Sequence, residues 1–142
     1  MSKRVAILAV AVLLVVLAGI VVFTSPPKLL SMIDRAAGGG ADARQEGTAI
    51  AFGDKDQALD VWAPAEPAES PRPVVIFFHG GGWAKGDRDA YAFAGRAFAS
   101  RGFVVVIPDY RKVPDVLFPA FVEDGADAVR WTRDNIAKFG GD

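Results

Sequence analysis

Residues 74–78, Val-Val-Ile-Phe-Phe, are β-branched or aromatic at every position, and they run straight into His79-Gly80-Gly81-Gly82-Trp83. Five such residues in a row fit a strand buried on both faces, as in a parallel sheet covered by helices. The glycines that follow let the backbone take angles other residues avoid and approach a ligand closely. A turn of that kind can aim successive N–H groups at a developing negative charge, which is the requirement of acyl transfer. The plainer alternative is a buried strand ending in a glycine-rich turn with no chemistry. A phosphate-cradling loop is disfavoured, because Lys85 follows the triplet without the Gly-x4-Gly-Lys-Ser/Thr spacing.

The rest of the chain supplies partners for such a strand. Thr48–Phe52 and Gln57–Trp62 are short strand candidates around Gly53-Asp54-Lys55-Asp56, a composition typical of a hairpin turn. In the second of them Leu59 and Val61 alternate with Asp60 and Trp62, as expected near a sheet edge. Residues 63–73 carry four prolines and form an extended surface loop. After the glycines, Asp87 or Asp89 can cap a helix running to about Arg101, with Gly102 where a C-terminal glycine belongs. Phe103–Ile107 is a second strand of the buried type. Ala120–Lys138 is a helix whose apolar stripe is Val122, Ala126, Val129 and Ile136, with Glu123, Asp124 and Asp127 on a solvated face. Strand, helix, strand, helix after a hairpin predicts an α/β fold.

The N-terminus is of another kind. From Val5 to Phe23 there are nineteen residues with no charge and no polar side chain. A helix of that length covers about 28 Å, close to the hydrocarbon thickness of a bilayer. Lys3 and Arg4 precede it, so a transmembrane signal anchor over residues 1–24 is expected. Its N-terminus is then cytoplasmic and the remainder lies on the exported side. A cleaved signal peptide is the alternative, although no small-x-small site follows the run. Residues 25–47, with Pro26-Pro27 and Gly38-Gly39-Gly40, have the composition of a flexible linker, and a short turn of Lys28–Ile33 lying on the membrane surface is the alternative within it. The globular part is then 48–142.

With no cysteine in the chain, disulfides, thiolate metal sites and a cysteine nucleophile are excluded. No His/Asp/Glu set has metal-ligand spacing, and no cofactor is implied. Beyond residue 24 the balance is fourteen basic against seventeen acidic residues with no basic block, which argues against nucleic acid as a partner.

Several separated pieces together resemble the hormone-sensitive-lipase-like carboxylesterases of the α/β-hydrolase fold. They are Gly53 with Leu59-Asp60-Val61-Trp62 and Pro64, His79-Gly80-Gly81-Gly82-Trp83 with Gly86-Asp87, Asp109-Tyr110-Arg111, Phe118-Pro119-Ala120, Glu123-Asp124, Trp131, and the stretch from Asn135 that ends in Phe139-Gly140-Gly141-Asp142. The resemblance spans residues 47–142 and corresponds to the N-terminal half of such a sheet. It implies hydrolysis of small carboxylic esters by a serine, with the oxyanion held by backbone N–H groups of Gly81 and Gly82 and the turn shaped by Gly80. It also implies that His79 supports the loop and is not the catalytic base. Asp109 and Tyr110 shape the site from the next strand, and Trp83 adjoins the acyl pocket.

The attacking group is missing from this reading. The family's nucleophile sits in a G-x-S-x-G elbow, and none of Ser2, Ser25, Ser31, Ser70 and Ser100 has glycine two residues away on both sides. The only histidine is His79. The chain is therefore expected to stop one strand short of its nucleophile, as a fragment inactive by itself. A non-catalytic, membrane-tethered α/β module, either a degenerate hydrolase or an interaction domain, is the other reading.

Overall fold

The computed structural model describes residues 3–142, without the side chains of residues 17 and 20–23. Ser2 and those parts of the expected anchor therefore lie outside the described residues. The elements are helix α1 (Lys3–Phe23), helix α2 (Pro26–Ala36), strands β1 (Ala43–Phe52), β2 (Gln57–Pro64) and β3 (Val74–Ile76), helix α3 (Ala92–Ala99), strand β4 (Val104–Pro108) and helix α4 (Ala120–Asn135). Short 3-10 turns at Asp89–Tyr91 and Ile136–Phe139 precede α3 and follow α4.

The four strands form one mixed sheet in the order β1-β2-β4-β3. β1 and β2 make the expected hairpin, turning through Gly53 and Asp56 at φ of 66° and 57°. β2 runs antiparallel to β4, with Trp62 opposite Val105, and β3 runs parallel to β4, with Ile76 opposite Val106. β4 has partners on both sides and is buried throughout, as its composition predicts. Its alternate residues serve two cores. Val104 and Val106 pack with Leu59, Val61, Ala128 and Ile136 on the α4 face, and Val105 and Ile107 pack with Trp62 and Ala99 on the α3 face.

Three expectations need correction. β2 is an interior strand, and Asp60 and Trp62, assigned to an edge, are both buried. Val74–Ile76, expected to be buried on both faces, are only half-buried and Phe78 is exposed, because β3 pairs with β4 alone at the edge of the sheet. The stretch 25–47 is not a linker, because α2 and the first residues of β1 occupy most of it. Pro26 and Pro27 open α2, where a missing N–H costs nothing. Ser31 and Asp34 then tie that helix to α3: Ser31 Oγ donates to Ala90 O (3.0 Å) and accepts from Phe93 N (3.0 Å), and Arg96 Nε donates to Asp34 (2.7 Å).

α1 is helical over its 21 residues, but its described side chains run unbroken only as far as Val16. Among the described residues no helix is long and apolar enough to cross a membrane.

Candidate active site

β3 and β4 are parallel, so their C-terminal ends emerge side by side, at the edge where ligands collect in open α/β sheets. Ile76 pairs with Val106, and from each the chain goes three residues further, past the strand's end, to His79 and to Asp109. Register alone therefore brings these two together. His79 Nε2 stands 3.1 Å from Asp109 Oδ1, and Nδ1 stands 3.1 Å from the carbonyl oxygen of Gly80. The imidazole is buried between Tyr110 and Tyr91, with ring centroids 4.5 and 5.6 Å away and planes within about 22° of parallel. The Tyr110 hydroxyl donates to the His79 carbonyl oxygen at 2.6 Å. His79 is thus held through both ring nitrogens, both faces and its main chain.

That anchoring fixes the start of the glycine turn. Gly81 has φ of 139°, and a Cβ there would lie 2.0 Å from the Lys85 carbonyl oxygen. Gly86 closes the turn at φ of 91°, and a Cβ on it would fall 2.5 Å from Gly80 O and 2.8 Å from His79 Nδ1. Both positions therefore require glycine. The Gly81 carbonyl accepts from the N–H groups of Ala84 (3.2 Å) and Lys85 (3.1 Å). The N–H groups of Gly80, Gly81 and Gly82 donate to no group among the described residues, and all three glycines are exposed. Three consecutive donors without an acceptor among the described residues thus lie on exposed glycines at the end of the sheet, outside any strand ladder or helix.

Trp83 follows at φ of 63° and stacks on Phe121 of α4 at 4.7 Å, beside Tyr110 at 5.4 Å. These rings, with Phe78, Val122 and Val129, line an open apolar cleft of about 370 Å³ next to the turn.

Three carboxylates hold the surrounding loops, Asp60 and Asp124 buried and Asp109 half-buried. Burial alone would raise the pKa of Asp109, but hydrogen bonds from His79 and Arg88 outweigh it and hold the carboxyl below its usual range. Arg88 also donates to the buried Asp60 at 3.0 Å, so one guanidinium joins β2 to the end of β4. Burial would lower the Arg88 pKa, and its bonds to Asp60 and Asp109 raise it instead. Asp124 is fully buried, contrary to its assignment to a solvated face. It accepts from Gln57 Nε2 (2.7 Å), Arg111 N (2.8 Å) and Arg111 Nη2 (2.6 Å), and these bonds overcome its desolvation to lower its pKa. Arg88 was not singled out by sequence reasoning, and Asp60 and Asp124 were given no role in the site. Asp60 and Arg111 both lay inside quoted motifs, which was the available signal.

Among the described residues no serine hydroxyl bonds to His79. Ser31 is tied to α3, and Ser100 Oγ donates to Ala97 O at 3.1 Å at the end of α3. Nor is there, among the described residues, a cluster of three potential metal ligands.

Sheet order, the glycine turn at the end of an edge strand and the aspartate beside it define the N-terminal portion of an α/β-hydrolase domain. The BD-FAE family profile matches residues 59–142, more than half of the chain, and the chain belongs to that family. It is 40% identical over 96 residues to esterase LipC of Mycobacterium tuberculosis, covering 66% of this chain and 24% of that protein. Against a probable isoprenylcysteine alpha-carbonyl methylesterase of Oryza sativa it is 34% identical over 101 residues, covering 70% of this chain and 24% of the relative. Among solved structures, esterase B from Lactobacillus rhamnosis superposes with a TM-score of 0.65 at 28% identity, over 80% of this chain and 40% of that one. An esterase from Pyrobaculum calidifontis gives a TM-score of 0.64 at 31% identity, over 82% and 38%. The chain thus spans about a quarter of the length of these curated relatives.

Proposed function

We propose that the chain forms the oxyanion-binding half of a serine carboxylesterase acting on small carboxylic esters. The observation that carries this reading is the set of three consecutive N–H groups, on the exposed Gly80, Gly81 and Gly82, that have no acceptor among the described residues. Donors of this kind, held in place by the fold, stabilise a tetrahedral oxyanion without reorganising as charge develops. The adjacent apolar cleft between Trp83, Phe121 and Phe78 suits an acyl group. His79 is a support in this reading: both its nitrogens are already engaged with protein oxygens, so neither is directed at a nucleophile. The nucleophile, acid and base belong to polypeptide outside these 142 residues, in keeping with the fraction of each relative that the chain spans.

The same reading includes membrane anchoring through residues 5–23, with the N-terminus cytoplasmic and the domain exported. Its support is the uncharged sequence, the helicity of α1 and the basic pair Lys3-Arg4 at its start.

A fluorophosphonate probe tests the catalytic part. The 142-residue chain is expected to remain unlabelled. The product of the reading frame extended beyond codon 142 is expected to label at a serine within G-x-S-x-G. Labelling of the short chain, or an extended frame lacking that elbow, would overturn the proposal. The second result would leave a non-catalytic module.

A further inference from the structure

Helix α2 is mounted with its faces reversed. In a globular protein an amphipathic helix turns its apolar stripe to the core and its polar side to water. Here the polar residues do the docking. Ser31 and Asp34, three apart and so on one face, bind Ala90, Phe93 and Arg96, and Arg96 Nη2 also donates to the Ser31 carbonyl at 2.9 Å. Leu30 and Ile33 are 48% and 56% exposed, while Met32, 50% exposed, borders the crevice between α2 and the domain that Asp60, Trp62 and Arg96 also line. Ala36 is exposed beside them.

We propose that this outward face of α2 lies in the lipid–water interface of a bilayer, so that the domain rests on the membrane in a fixed orientation. The proposal builds on the membrane anchoring of α1. Chain continuity selects lipid as the occupant. α1 ends at Phe23 and α2 begins at Pro26, so α2 starts where an apolar helix would leave the hydrocarbon. An interfacial helix of this kind buries an apolar face to the depth of the headgroups. Exposed Lys28 and Arg35 flank that face, where long basic side chains reach phosphate while their stems stay in apolar surroundings. The polar face is already saturated by the domain, so the helix cannot roll over to hide its leucine and isoleucine. The far side of that dock is the Asp89–Tyr91 turn, whose Tyr91 stacks on His79. The glycine turn would therefore sit at a set distance from the lipid surface.

The absence of cysteine makes the test direct. Leu13→Cys, Leu30→Cys, Ile33→Cys and, as an aqueous control, Lys138→Cys each take one environment-sensitive fluorophore. The full chain is then reconstituted in vesicles of phosphatidylcholine with a minority of phosphatidylglycerol. Lipid-borne nitroxide is expected to quench positions 13, 30 and 33 several-fold more than position 138, and aqueous iodide to show the reverse order. Quenching by lipid at 13, with 30 and 33 reached only by iodide, would overturn the proposal and leave the anchor standing. Positions 30 and 33 shielded from both quenchers would mean that protein covers the face, a second copy included, and would equally overturn it. Lipid quenching at 30 and 33 without quenching at 13 would support the interfacial helix and reject the α1 anchor.

Discussion

Gly81 and Asp109 do the two kinds of work that single residues do here, one through its backbone and one through its charge. A Cβ on Gly81 would begin 2.0 Å from a carbonyl oxygen at a φ of 139°, so Gly81→Ala must move the turn. In the extended enzyme this should lower kcat by about 10²-fold or more, the usual effect of losing one oxyanion donor. KM and the circular dichroism spectrum should change little, because the turn is exposed and outside the sheet. Asp109 carries a pH prediction. Its folded pKa is lowered, so its contribution to stability is complete above the unfolded value of about 3.9 and is lost as pH falls through the folded value. The stability difference between wild type and Asp109→Asn should therefore be largest near neutrality and shrink below about pH 4. Urea unfolding across that range measures it, and a difference that grows in acid would contradict the assignment. His79, Gly81 and Asp109 were legible in the sequence because each lies in a short motif. Arg88 was not, since its role depends on two carboxylates that are distant in the chain and meet only across the sheet.

The strands and helices differ in how far local pattern announced them. β4 was evident from Val104-Val105-Val106-Ile107, because burial on both faces leaves no polar residue to confuse the period. β2 was found, but its environment was misread. Asp60 was placed near a sheet edge, whereas it is buried, paired with Arg88 and accepting the N–H of Ala49 at 2.8 Å. A buried charge paired through tertiary contacts looks, in sequence, like an exposed one. The helix at 26–36 was lost for a related reason. Its apolar side faces outward, and glycines and prolines surround it, so composition suggested a spacer. Packing of the central pair is open to test. Leu59 has no exposed surface and sits between Phe52 and the α4 core. Leu59→Ala should cost about 2–5 kcal/mol, read as a lower denaturant midpoint at unchanged slope. Gly95 marks the other face: its Cβ would lie 2.5–2.8 Å from the Trp62 indole, so α3 lies against β2 at a distance only glycine allows. Gly95→Ala should destabilise by about 1–3 kcal/mol through overpacking, in contrast to the gain usual for that change in a helix.

At the scale of the whole chain the sheet is asymmetric, and the asymmetry coincides with the candidate site. β1 is a long outer strand with a charged, exposed face, of the kind that ends a natural sheet. β3 is short, apolar and half-buried, and it is paired only with β4 on one side. Beyond it lie exposed Phe78, Trp83, Leu117 and Phe118, an apolar border continuous with the cleft beside the glycine turn. An apolar edge of this type is a template for another strand. Native hydrogen exchange should expose the imbalance. Amides of β4, bonded between two neighbours, should exchange only through the most extensive openings, whereas those of residues 74–82 should exchange through small local ones. Adding the downstream polypeptide should slow exchange at Val74–Ile76 and leave Gly80–Gly82 fast, because a strand laid against β3 satisfies the edge without touching the turn. Slow exchange at the glycines in that longer protein would mean that their N–H groups are occupied in the resting state. An oxyanion then could not reach them without a rearrangement, and the turn would be a structural corner and not a catalytic one.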